Sequence, residues 1–169
     1  MITVEYCQTM ARYNVWQNSQ HAACLGDMTM AELRKKRGAF FGSIFATSNH
    51  LLWGDQIWMS RFDGGVSPEN IIKDSVKLHS DLQPFLDDRK RTDERILRWT
   101  LKLKQIDLIG PMTWFSGSIN AHVSKPKTEC ITHFFNHQTH HRGQIHAMLT
   151  SAGLTPGTTD LVFMPEVEE

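Results

Sequence analysis

His133-Phe-Phe-Asn-His137-Gln-Thr-His-His141-Arg-Gly-Gln144 is the stretch on which the reading of this chain turns. On a helix, side chains four residues apart project from one face on consecutive turns, about 5–6 Å apart at Cβ. His137 and His141 can therefore hold the same divalent cation, for which Zn–N distances are about 2.0–2.1 Å. Cys130, His133, His137, His141, Gln144 and Met148 fall in one narrow stripe, and Ile131, Phe134, Ile145 and Leu149 make the apolar stripe beside it. The histidines thus border a core, where an imidazole without a partner is costly. A third ligand must come from elsewhere. His50, in the middle of a second helical stretch, is the best candidate, and Ser43, Ala46 and Gly54 beside it leave space for a cation, water or substrate. Metal sites in helical bundles are built in this way, from side chains on facing helices.

Taken singly, each histidine reads as structural, and a bare H-x3-H pair is only moderately specific. The stripe together with a third histidine carries the metal expectation. Five of the nine histidines crowd into residues 133–146. His140 and His146 point away from the His137/His141 centre, and His21, His79 and His122 have no evident partner, so surface or supporting roles are expected for these.

Outward from this stretch, the chain reads as helices with short connections. A first helix spans about Val4 to Leu25, and Thr29 with Glu32 can cap a short turn after it. A second runs from about Gly38 to Phe62 and ends at Asp63-Gly64-Gly65; its apolar residues extend well round the helix, so it is expected to be buried on more than one side. A third covers about Ser75 to Lys104, with Pro84 as a kink or a late start. The run Asp87 to Arg95 alternates in sign and reads as a solvated face or a break between helical segments, with no chemistry. Residues 112–123 suggest a short hairpin about Ser116-Gly117, and the last helix follows Pro126 and ends near Ala152 with Gly153 as its cap. Four substantial helices predict an all-α bundle.

Bulk composition narrows the function. A chain of 169 residues fits one domain, 1–169. Eighteen basic and eighteen acidic residues cancel, which gives no electrostatic support for nucleic acid or a membrane surface as partner. Three cysteines, Cys7, Cys24 and Cys130, lack CxxC spacing and suit a reducing cytoplasm. Neither an export signal nor an 18-residue apolar run is evident, so a cytoplasmic location is expected. A zincin protease is excluded because Gln138 stands where that motif needs a glutamate base. No G-x-S-x-G, GxGxxG or P-loop spacing occurs.

Three blocks then resemble the DinB family of small metal-binding helical proteins. Tyr13-Asn14-Val-Trp16-Gln-Asn18 looks like its first-helix signature, and His50-Leu-Leu-Trp53-Gly-Asp55-Gln-Ile-Trp58 is similar to its second-helix block. His133 to Ile145 looks like its H-x3-H-R-G-Q element, and Gly153 and Thr159-Asp160-Leu161 also fit. The resemblance implies an up-down-down-up four-helix bundle, usually a homodimer, with a divalent metal bound by His50, His137 and His141. Gln138 departs from it, because many members carry glutamate there. Characterised relatives include transferases and isomerases that use low-molecular-weight thiols, so the resemblance implies a metal-dependent enzyme, a thiol-dependent S-transferase acting on a small electrophile. The alternative is a non-catalytic metal-binding or protein-interaction dimer.

Three imidazoles suit Zn²⁺, Ni²⁺, Cu²⁺ or Fe²⁺ without choosing among them. The catalytic residues beyond the ligands are unknown from sequence. Tyr13, Asn14 and Asn18 are candidates for lining the pocket. Gln144, and after it Asp55, are candidates for orienting ligand imidazoles. Arg142 faces away from the ligand stripe and is expected to pair elsewhere, while Gly143 suggests close helix approach.

Overall fold

The computed structural model describes residues 2–166. Helix α1, Val4–Gly26, starts where the Thr3 hydroxyl accepts from the Tyr6 amide. The short α2, Met30–Arg34, opens with the expected Thr29/Glu32 capping box. α3, Ile44–Asp63, begins later than the sequence suggests: Gly38 and Gly42 take positive φ, and Ser43 caps the helix by accepting from the Ala46 amide. Gly64, at φ 70°, ends it. The segment read as a continuous helix from Ser75 divides into a 3-10 turn, Ile72–Lys77, and α4, Leu82–Lys102. Pro84 falls in the first turn of α4, where its missing N–H has no helical partner to lose.

β1, Pro111–Ser116, pairs antiparallel with β2, Ala121–Pro126, in a hairpin whose loop lies at residues 117–120. α5, Lys127–Ser151, ends in a Schellman arrangement: the Leu154 amide donates to the Leu149 carbonyl, the Gly153 amide donates to Thr150, and Gly153 sits at φ 88°. The fold is mostly helical, with this one two-stranded sheet among the described residues.

The long helices pack as α1 on α4 and α5, and α3 on α4 and α5. Pairings along α3 and α5 run in opposite senses: His50 meets His141, Gly54 meets His137 and Trp58 meets His133. The apolar spread of α3 is absorbed inside the one chain, with Ile44, Phe45, Leu51, Leu52 and Met59 all buried. Two apolar clusters form the core. One gathers Leu25, Leu33, Leu52, Phe85 and Leu149, the other Ala11, Met59, Ile96, Phe134 and Phe135.

A polar layer separates the two clusters. Asp55, Arg89 and Asp93 form a buried chain of ion pairs, each at 2.6 Å. Asn14 and Asn18 donate to Asp93, Gln138 donates to Asp55, and Arg142 donates to Asn14. The alternating run at 87–95 is therefore neither a break nor wholly a solvated face. It is one continuous helix whose Arg89 and Asp93, four residues apart, point inward. Burial pushes Asp93 up to about 6, against the pull of Arg89 beside it. Arg89 and Arg142 then balance Asp55 and Asp93.

Candidate metal centre

His50 comes from the middle of α3, and His137 and His141 from consecutive turns of α5. One potential ligand atom from each lies within 4.8 Å of the others. The ring centroids are 5.4 Å apart for His50–His137, 4.8 Å for His50–His141 and 4.4 Å for His137–His141. Three imidazoles around one tetrahedral ion, with Zn–N about 2 Å, place ring centres about 5 Å apart. The donor set therefore fits a divalent cation. Among the described residues the cluster stops at three His, Cys, Asp or Glu side chains.

Neighbouring groups fix two of the rings. Ser75 Oγ donates to the Ile72 carbonyl at 2.7 Å, so toward His50 Nδ1, at 2.9 Å, it can only accept. His50 therefore carries its proton on Nδ1 and leaves Nε2 with a bare lone pair. His141 Nδ1 donates to the Gln144 carbonyl oxygen at 2.8 Å, which fixes the same tautomer, while Gln144 Nε2 donates to His140. Hydrogen bonds of this kind orient imidazoles for ligation. His137 Nδ1 is buried and has no hydrogen-bond partner among the described residues. That ring lies against Gly54, where a Cβ would stand 2.7 Å from Cε1. Phe41 covers the cluster from the side, 4.0 Å from the His50 ring and 5.5 Å from His141.

Burial keeps the rings neutral, as ligation requires. Desolvation, with His141 nearby, lowers His50 to about 4. Desolvation and the surrounding histidines lower His137 to about 3. His141 is lowered chiefly by burial, against the hydrogen bond it donates to Gln144.

The other expected residues divide. Gln144 sits on the His141 imidazole, whereas Asp55 touches none of the three rings and is fully buried on Arg89 and Gln138. Tyr13, Asn14 and Asn18 are not at the histidines. The asparagines serve Asp93, and the Tyr13 hydroxyl donates to the Thr159 carbonyl at 2.6 Å. Arg142 pairs away from the stripe, with its guanidinium over the Tyr13 ring. Gly143 has open space where a Cβ would be, so the close helix approach belongs to Gly54 instead. His133 packs on Trp58, one turn from His137, and His79 pairs with Asp88. Ser75 and Phe41 were missed, because neither shares a local pattern with His50. The Phe40-Phe41 pair between Gly38 and Gly42 was the one available signal.

The chain is similar to known proteins over its whole length. Residues 1–169 match the DinB family. Protein DinB of Bacillus subtilis (strain 168) is 24% identical over 174 residues, which cover 98% of each chain.

Proposed function

This chain belongs to the DinB family, and from that premise we propose that it is a metal-dependent enzyme, a thiol-dependent S-transferase acting on a small electrophile, with His50, His137 and His141 as its metal ligands. One observation carries the reading: two imidazoles held as Nδ1–H tautomers converge with a third on one point, and no fourth protein ligand joins them among the described residues. Closed four-ligand sites are structural, whereas three-ligand sites keep a position for substrate. A divalent cation held by His50, His137 and His141 would act as a Lewis acid and favour a thiol as thiolate.

The chain's own cysteines do not supply that thiol. Cys7, Cys24 and Cys130 are buried and free, and burial raises all three, Cys7 to about 11. A low-molecular-weight thiol from solution is therefore part of the proposal, and free, buried thiols agree with the reducing cytoplasm we place it in. Ser75 and Gln144 hold ligand rings in orientation, and Phe41 shields them from water.

The overall arrangement we propose is the up-down-down-up bundle. It is supported by α1 running alongside α5 (Tyr6 near Phe135, Asn14 on Arg142) and α3 alongside α4 (Phe45 near Phe85, Phe62 near Trp99).

The test is elemental analysis joined to a thiol panel. About one metal per chain is expected, lost in His50→Ala, His137→Ala and His141→Ala but kept in His146→Ala. Glutathione, bacillithiol, mycothiol and cysteine are then offered with model electrophiles, with metal-free protein as control. Full metal retention by the His50 variant removes it from the site. Metal binding without any thiol-dependent turnover favours the non-catalytic metal-binding module.

A further inference from the structure

Arg61 differs from every other arginine of the described residues. Arg12, Arg34, Arg37, Arg89, Arg91, Arg95, Arg98 and Arg142 each have an oxygen partner. Arg61 has no hydrogen bond or ion pair among those residues. Its half-buried guanidinium lies over two indoles instead, 4.7 Å from the Trp58 ring and 5.3 Å from Trp114. Aromatic faces hold the cation without using its N–H donors, whose fork matches a carboxylate. Its N–H donors are therefore free to meet the oxygens of a ligand.

Besides a second groove with Phe62, Trp99 and Asp107, Arg61 lines one of about 440 Å³ between α3, residues 68–73 and the tip of the hairpin. The apolar walls include Trp53, Ile57, Ile71 and Phe115, and Ile71 and Phe115 are 61% and 54% exposed. Its charged residues are Arg61, Lys73 and Glu69, a net positive lining. Along α3 the groove extends as far as Trp53, short of the histidines themselves. Arg61 lies eleven residues from His50, three turns along the same face of α3, or about 16 Å of helix. Trp53, at the near end, stacks against the His50 ring with centroids 6.2 Å apart.

We propose that this groove binds a small amphipathic organic anion, with its carboxylate on Arg61 and its apolar body along Trp53, Ile57, Ile71 and Phe115. That this ligand is the electrophile of the reaction rests on the metal-enzyme reading; the binding site itself does not. Its apolar body points the opposite end toward the histidines, so the substrate class is a carboxylate-bearing electrophile with an extended apolar spacer.

The probes are octanoate, octyl phosphate and the neutral 1-octanol, titrated into metal-free protein while tryptophan fluorescence and heat are followed. Octanoate is expected to bind, and Arg61→Gln should weaken it at least about tenfold while changing octanol by less than about twofold, as loss of a charge-assisted hydrogen bond requires. Tighter octyl phosphate than octanoate assigns the head group to phosphate and overturns the carboxylate. Ile71→Glu, at an exposed wall position, places a like charge in the groove without touching the core and should also weaken octanoate. Octanoate that fails to bind, or that binds both variants as well as it binds the original chain, overturns the proposal. Metal content measured in parallel reads the histidine site separately, so either idea can fail alone.

Discussion

Ser75 contributes a single hydroxyl, yet it decides which nitrogen of His50 faces the other two histidines. It does so because its one proton is committed to the Ile72 carbonyl. Ser75→Ala removes the acceptor and frees the ring to turn, so metal affinity should fall about 10–100-fold, measured by competition with a chromogenic chelator. Gly54 acts by absence. A methyl there would stand 2.7 Å from His137 Cε1, so Gly54→Ala should displace that ring and lower affinity with the helix content unchanged by circular dichroism. Unaltered affinity in both variants would mean that the rings are placed by something else. Gly54 was legible in the sequence as a small residue beside His50. Ser75 was not, since 25 residues and a loop separate it from His50.

At the scale of elements, α4 carries its weight through two inward charges. Arg89 lies between Asp55 and Asp93, and all three are buried. Replacing Arg89 with methionine fills similar volume but removes the direct partner of both carboxylates and leaves Arg142 as the nearby cation, which should cost about 3–5 kcal/mol in urea unfolding. Loss below about 1 kcal/mol would show that the layer is wet enough to screen itself. The alternation at 87–95 hid this. Sign changes every residue or two describe solvated and buried charges equally well, and only the facing α1 and α3 distinguish them. Helix ends were better encoded: the Thr29 capping box, Gly64 and Gly153 each act through bonds within a few residues.

The whole molecule responds to acid through its buried histidines. Burial lowers His21 to about 3, with help from Arg142 and His146, and His50 and His137 are also depressed. Below the ordinary histidine value near 6.5 the unfolded chain takes up protons that the folded chain refuses, so stability falls with pH. Asp93, raised to about 6, binds its proton earlier in the folded state and opposes this, one group against five depressed histidines, since His133 and His141 are lowered too. Metal-free protein should therefore lose roughly 1 kcal/mol per histidine between about pH 7 and pH 5.5, seen as a falling urea midpoint. A flat profile would place these rings in water.

The homodimer is the second question at this scale. With the apolar spread of α3 already covered within one chain, the proposal rests on the family resemblance. The groove between α1 and α4, of about 470 Å³ and including Val15, Ala22, Leu86 and Leu97 beside Asp87, Lys90 and Glu94, is one face on which it could form. Sedimentation should give twice the 19.4 kDa chain mass; a monomer at micromolar concentration ends the idea.

The sequence by itself determined the helical character, most helix ends and the three histidines as a set, because helix periodicity and capping are local and His137 and His141 sit on adjacent turns of one helix. Tertiary structure alone decided what surrounds them. It placed Ser75 and Phe41 on His50, took Asn14, Asn18 and Asp55 away from the site into the charged layer, and laid Arg61 over Trp58 and Trp114. Each of these depends on which helix lies opposite, and a side chain's hydrogen-bond partner from another helix leaves no trace in its neighbours along the chain.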